Sequence, residues 1–445
     1  MNNINIKTSI GCSLNYYKTF LTSLFIIFVF KIVLEYIYIV HISEIYQYAG
    51  DIVDINIFKA FISYIFVFIL YILIPKNKSK ISTYLVFILF IISYIPLSSI
   101  YYIRNESNLY FLMVTFSYSL IFFILKLINI RNVSTTYLIG FSLLKVLIFV
   151  NLLFFILFIF KFGIPTLDAL NFLNVYDIRE TREYTVLWSY LINWFTKAIL
   201  PFSIILSIHK RKYIISFLFV LLQLFIYLYT ANKITLLSII FIIIIYYFVN
   251  KNHKLFERKF VFSMIVVIAL SYLFFLLFSN YSFTALFVRR LFSIPAGISF
   301  KYYNFFSENE FLWFREIFIG RILNLNSPYP EVISRMLGNG ANANTGIFGD
   351  AYANGGFIIM FVYSIILSSF LILVDSFGNP IKKSEFSMLI AIYSNTIFML
   401  NDLPLTNVML TGGGLILIFL TYIYFFSNNE IKSRTKIQKG ERIYD

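Results

Sequence analysis

The chain has 445 residues, 60% of them hydrophobic and only 13% charged, with a mean hydropathy of +0.83. A soluble domain carries about 25% charged residues, so a water-soluble globular fold is excluded. The net charge of +15 would suit a nucleic-acid binder, but in so apolar a chain basic residues are better read as anchors of the cytoplasmic side of a bilayer, and no nucleic-acid partner is expected.

A helix needs about 20 apolar residues to cross the hydrocarbon layer, because its backbone polar groups must be satisfied internally. Windows of this kind predict spans near 20–40, 57–75, 81–99, 109–128, 136–160, 186–208, 213–230, 234–250, 260–279, 355–374, 385–401 and 407–426. The expected fold is an all-α polytopic membrane protein, one transmembrane domain over 1–445 with about twelve helices. The first apolar stretch is too long for a cleavable leader and lacks a small-residue cleavage site, so it reads as a retained span. Cys12 is the single cysteine, which excludes an intramolecular disulfide and a cysteine metal site.

Alternate connections carry Lys76/Lys78/Lys80, Lys210/Arg211/Lys212, Lys251/Lys254/Arg258/Lys259 and Lys382/Lys383, and the 427–445 tail is basic too. By the positive-inside rule these face the cytoplasm, as do both termini. Two long stretches then face outward, 161–185 and 280–354. Long loops are uncommon and usually functional. The longer one divides the spans nine to three, without the two matched halves expected of many transporters.

Both outward stretches carry arginines against the charge trend: Arg179 and Arg182 in the first, Arg289, Arg290, Arg315, Arg321 and Arg335 in the second, with Lys301. A guanidinium offers a planar fork of donors that suits phosphate oxygens. The opposing reading pairs them with Glu180, Glu183, Glu308, Glu310, Glu316 and Glu331. The second stretch ends in a glycine-rich run, 338–356, that leads straight into a span. A helix start there favours an anion, and Asp350 is either its N-terminal cap or a carboxylate base. Asp51/Asp54 and Glu308/Glu310 are acid pairs of the sort that hold a divalent cation or merely sit in solvent. Within the spans, Lys31 and Glu35 are one turn apart and expected to pair. Lys145 is expected to snorkel, and Lys197 lies deep enough to line a cavity.

The 285–360 region resembles the oligosaccharide repeat-unit (O-antigen, Wzy-type) polymerases. The resemblance rests on Arg289-Arg290-Leu-Phe-Ser-Ile-Pro295, Tyr302-Tyr-Asn-Phe-Phe306, Asn342-Ala-Asn-Thr-Gly346 and Gly349-Asp-Ala-Tyr-Ala-Asn354, and on ten residues between Arg335 and Gly346. Outside about 75 residues it is one of topology. It implies a metal-independent, cofactor-free multi-span glycosyltransferase of the lipid-sugar (GT-C-like) type in the bacterial inner membrane. Such an enzyme joins undecaprenyl-pyrophosphate-linked repeat units, with a flippase and a chain-length co-polymerase as implied partners. The catalytic residues would be Asp350, Arg335, Arg289 and Arg290, with Glu331 and His41 behind Asp350 as bases. Arg179, Arg182, Arg321, Asn344, Gly346, Tyr352, Asn354 and Lys197 would bind substrate. The competing expectations are an O-antigen ligase and a lipid-linked glycan flippase or other transporter.

Overall fold

The computed structural model describes residues 2–128, 142–170, 182, 184–315, 345–377 and 383–425. Among them every regular element is helical. We number them α1 (Asn2–Ile37, continued by short turns to Ala49), α2 (Ile57–Leu73), α3 (Ile81–Ile103), α4 (Asn108–Leu127), α5 (Leu143–Phe162), α6 (Val186–His209) and α7 (Tyr213–Thr230). There follow α8 (Lys233–Asn252), α9 (Phe256–Phe278), α10 (Ser282–Phe306), α11 (Gly346–Ala353), α12 (Gly356–Phe377), α13 (Lys383–Met399) and α14 (Leu405–Phe425). Among the described residues ten helices, with Thr235–Phe278 counted as one, are long and apolar enough to cross a membrane, the make-up of a multi-pass membrane protein. That 44-residue run reverses direction. The rings of Phe241 and Phe260 lie 6.3 Å apart, whereas nineteen residues of continuous helix would separate them by about 28 Å.

The two ends of the bundle differ. At one end, Lys78 pairs with Glu257 and donates to the carbonyl of Lys254, while Lys80 donates to the carbonyls of Leu125 and Ile128. This basic end gathers the connections 74–80, 125–128 and 252–258. The opposite end holds Gly50–Asn56, Arg104–Ser107 and α10.

Proline shapes the interior. A proline ring clashes with the carbonyl four residues back and offers that carbonyl no N–H. Wide, π-type turns at Phe90–Tyr94, Phe195–Ile199 and Ala285–Ser293 run directly into Pro96, Pro201 and Pro295. Two of the released carbonyls are satisfied by one helix, α13 and its end. Asn395 donates to the carbonyl of Lys197 at 2.9 Å, and Asn401 to that of Leu291 at 2.7 Å. Inside a membrane such groups find no water, so these asparagines hold the bends in place. Helix α13 stops inside the bundle. Phe398 stacks on Phe241 at 5.0 Å, eight residues and about 12 Å into α8.

Helix α10 falls within the stretch expected to be an outward loop. It spans 25 residues with a hydropathy of 1.2, diluted by Arg289, Arg290 and Lys301, and so reads poorly in a hydropathy window. It does not thread the bundle. Near its start Thr284 meets His41 at 2.9 Å. Towards its other end Ser299 bonds Tyr110 at 2.7 Å and Lys301 lies beside Gly50. Residues 284 to 301 measure about 25 Å of helix, yet both ends touch the same end of α1 and α4. Helix α10 therefore lies across the bundle, as a cover. Helix α11, also inside that stretch, leans on the end of α13. Gly346 has φ +63°, and a Cβ there would lie 2.6 Å from the carbonyl oxygen of Asn401. Only glycine allows that approach.

The expected pair Lys31–Glu35 forms at 2.7 Å and is fully buried in α1. Lys31 also donates to Ser98 and Ser99, and Glu35 accepts from Ser99 and Tyr64. Every polar atom of the pair thus has a partner, as burial in hydrocarbon demands. Lys145 is exposed in the first turn of α5.

Candidate functional site

The site is built where α10 covers the bundle. Asp51 follows the turn that ends α1 and is 2% exposed. Two guanidinium groups hold it: Arg104, on one carboxylate oxygen, and Arg289, at 2.6 Å on the other. Arg104 also donates from Nε to the Tyr38 hydroxyl at 2.7 Å, and Arg289 lies over the Tyr46 ring at 4.2 Å. Rigid turns fix these groups. Asn105 adopts φ +54°, and Glu106 closes the turn by donating its N–H to the carbonyl of Tyr101. The 51–56 segment is sewn to this turn through Asp54 to Ile103 and Asn56 to Tyr102. Lys59 bonds the carbonyls of Asn105 and Glu106.

Helix α10 presents Gly297, Lys301 and Asn304 on one face, at i, i+4 and i+7. Gly297 makes room for Arg104, because a Cβ there would sit 2.5 Å from a guanidinium nitrogen. Lys301 lies within electrostatic reach of Arg104, Asp51, Glu106 and Arg289. Asn304 lies close enough to Glu106 to favour its ionised form. Burial pushes the Glu106 carboxyl above the ordinary carboxylate range, against the opposing pull of Arg104, Asn304, Lys301 and Lys59. Arg104, Arg289, Lys301 and Lys59 outnumber Asp51, Asp54 and Glu106, so the cluster carries a small excess of positive charge that suits an anion with several oxygens.

Of the residues singled out from sequence, Arg289 is in this cluster. Its partner is Asp51 rather than the glutamates considered for it, and Asp51 is neither solvated nor part of a metal pair. Among the described residues no group of three or more acids, histidines or cysteines is placed to hold a metal. Arg290 is exposed on α10. Asp350 is the fifth residue of α11, so it is not the cap of that helix, where Thr345 stands. Its carboxylate accepts the Tyr363 hydroxyl at 3.2 Å. Asn354 is 2% exposed, and its amide is taken by the backbone of Phe314 and Asp350. Tyr352 packs among Tyr110, Tyr303, Phe311 and Phe357, and Gly346 serves the contact with Asn401. Lys197 occupies the bend of α6, and among the described residues no carboxylate pairs with it. Arg182 stacks on Tyr229 at 4.2 Å. Arg335, Arg321, Arg179, Asn344 and Glu331 lie outside the described residues.

Sequence reasoning missed Arg104 and Glu106. A signal was available: Arg104 and Lys59 sit at the end of the bundle where the charge rule disfavours basic residues, and short loops obey that rule best. Compared with known protein families, curated proteins and solved structures, the chain matches none.

Proposed function

We propose that this chain is a glycosyltransferase that joins undecaprenyl-pyrophosphate-linked repeat units into a surface polysaccharide, at the outer face of a bacterial cytoplasmic membrane. The observation that carries the reading is the buried Asp51–Arg104–Arg289 cluster beneath α10, because it sits in the region of the polymerase-like residues and is built for a phosphate-rich anion. Divide the Thr235–Phe278 run at its reversal, set aside α10 as a cover, and add the 17-residue helices α2 and α13. This reading then counts eleven full crossings and α13, which stops inside the bundle, as a partial twelfth, with both termini and the basic end cytoplasmic and the Asp51 cluster outward.

In this reading the growing glycan leaves its diphosphate carrier and joins the next lipid-linked unit. Negative charge develops on the departing diphosphate. Arg104, Arg289 and Lys301 are already fixed around that position, which is how a preorganised site lowers a barrier. The tail stays in the bilayer. The test is deletion of the gene followed by complementation, read as the surface-glycan ladder. Loss of all chains longer than one repeat, restored by the wild-type gene, is the expected result. Bare acceptor with accumulated lipid-linked polymer points instead to a ligase.

A second reading, a transporter of the lipid-linked unit, is favoured by the broken helices α11 and α13, which end inside the bundle as transporter half-helices do. It predicts that deletion traps single lipid-linked units on the cytoplasmic leaflet.

A further inference from the structure

We infer that Glu106 is the proton acceptor of the site, the group that takes the hydroxyl proton of the incoming sugar. This inference rests on the polymerase reading and names a residue that reading leaves open. Three observations lead to it. The first is position. The turn 104–106 carries Arg104 and Glu106 two residues apart, and both face the same side of α10. Arg104 lies against Gly297 and Glu106 lies near Asn304, so Lys301 falls between them on that face. An anion held by Arg104, Arg289 and Lys301 would have Glu106 beside it.

The second observation is what the other acids are doing. Asp51 is clamped by two arginines and also accepts the Tyr38 hydroxyl at 3.4 Å. Asp350 accepts the Tyr363 hydroxyl, and Tyr363 is 2% exposed. Both acids are already engaged, Asp51 by the arginines that would hold the anion and Asp350 by a tyrosine of α12. Glu106 is half-buried, as Asp350 is, and it stands two residues from Arg104. The third is electrostatic. The charged groups that face Glu106 are Arg104 at the end of α3, Lys59 on α2 and Lys301 on α10, and Asp54, bonded to the neighbouring Asn105, also acts on Lys59. Despite three cations its carboxyl is raised by burial, which makes its ionised form a stronger base than a solvated glutamate.

The step balances without a cofactor. The acceptor hydroxyl oxygen forms the new bond to the anomeric carbon. The bond from that carbon to the diphosphate oxygen breaks, and its electron pair leaves on the diphosphate, which Arg104, Arg289 and Lys301 stabilise. The hydroxyl proton passes to Glu106, which returns it to water.

The experiment measures polymer formation from purified lipid-linked repeat units by the full-length protein in vesicles, as a function of pH. Wild-type rate should rise with pH as Glu106 ionises. Glu106→Gln keeps the size of the side chain, and should lose about 100-fold in rate along with that acidic limb. Glu106→Asp should recover part of the rate and the limb, which a merely structural role would not produce. A Glu106→Gln variant with wild-type rate and pH profile, alongside an inactive Arg104→Ala, overturns the inference and leaves the polymerase reading standing. A wild-type protein that makes no polymer overturns both.

Discussion

At the basic end of the bundle Lys80 donates to two carbonyls at the close of α4 and Lys78 to that of Lys254, whereas at the far end Arg104 and Arg289 close on a single buried carboxylate. The same residue class does two jobs. Lysines at the basic end satisfy exposed helix C-termini, where the dipole favours a cation and each contact is worth about 0.3–1 kcal/mol. The far end concentrates its cations on one point, out of water. The number of basic residues at an end is therefore a topology signal, and their convergence is the functional one.

The comparison breaks first at Arg104. Arg104→Ala leaves Asp51 buried with half of its charge compensation, and loss of one partner of a buried pair costs about 3–5 kcal/mol. We expect no glycan ladder and a lowered melting temperature in detergent. Arg104→Lys should restore little, because an ammonium lacks the planar fork whose Nε and Nη2 reach Tyr38 and Asp51 at once. A full ladder from Arg104→Ala would remove the cluster from the mechanism.

Gly297→Ala sharpens the same point with a single methyl. It pushes on the Arg104 guanidinium at a site where the added atom would lie 2.5 Å away, and overpacking of this sort costs about 1–3 kcal/mol. The expected variant reaches the membrane in normal amount and makes shorter chains. Unchanged chain length would mean that Arg104 has freedom that the close packing denies.

Most of the helical layout was legible in the sequence, because hydrophobic runs of membrane length have one structural outcome. The Lys31–Glu35 pair was legible too, from helical spacing alone. Helix α10 was hidden because its three basic residues depress the hydropathy of a segment that lies across the bundle instead of through it. The Asp51–Arg104–Arg289 cluster was hidden for a different reason. Its members are 53 and 185 residues apart along the chain, so no local motif joins them, and only the fold brings them together. Arg289 was found because it lies in the polymerase-like block. Its partner was not, since an aspartate in a short loop looks solvated until α10 covers it.

The α13 asparagines give a smaller effect, Asn395 within the bundle and Asn401 beneath α10. Asn395→Leu and Asn401→Leu each strip a partner from a carbonyl that proline has released. Interhelical hydrogen bonds in membranes contribute about 0.6 kcal/mol on average and up to about 1.7. Because these carbonyls have no alternative in hydrocarbon, we expect the upper part of that range, read as thermal stability in detergent. The double variant should lose the sum, as the two sites serve different bends. A wild-type melting temperature for both single variants would mean that the released carbonyls are satisfied in some other way.

Lys80→Ala should be the mildest change. Its ammonium bonds the carbonyls of Leu125 and Ile128 at 3.0 and 3.1 Å, an arrangement that looks as specific as the far-end cluster. The difference is water. Those carbonyls stand at the aqueous end of α4, so removing the lysine lets solvent take its place, and exposed contacts of this kind are worth about 0–1 kcal/mol. Lys76 and Lys78 remain to mark the cytoplasmic side, so orientation should hold as well. The measurements are thermal stability, the ladder, and labelling of single cysteines placed at the two ends. If Lys80→Ala falls as far as Arg104→Ala, the basic end is built as tightly as the far end, and convergence on Asp51 loses its claim to mark the site.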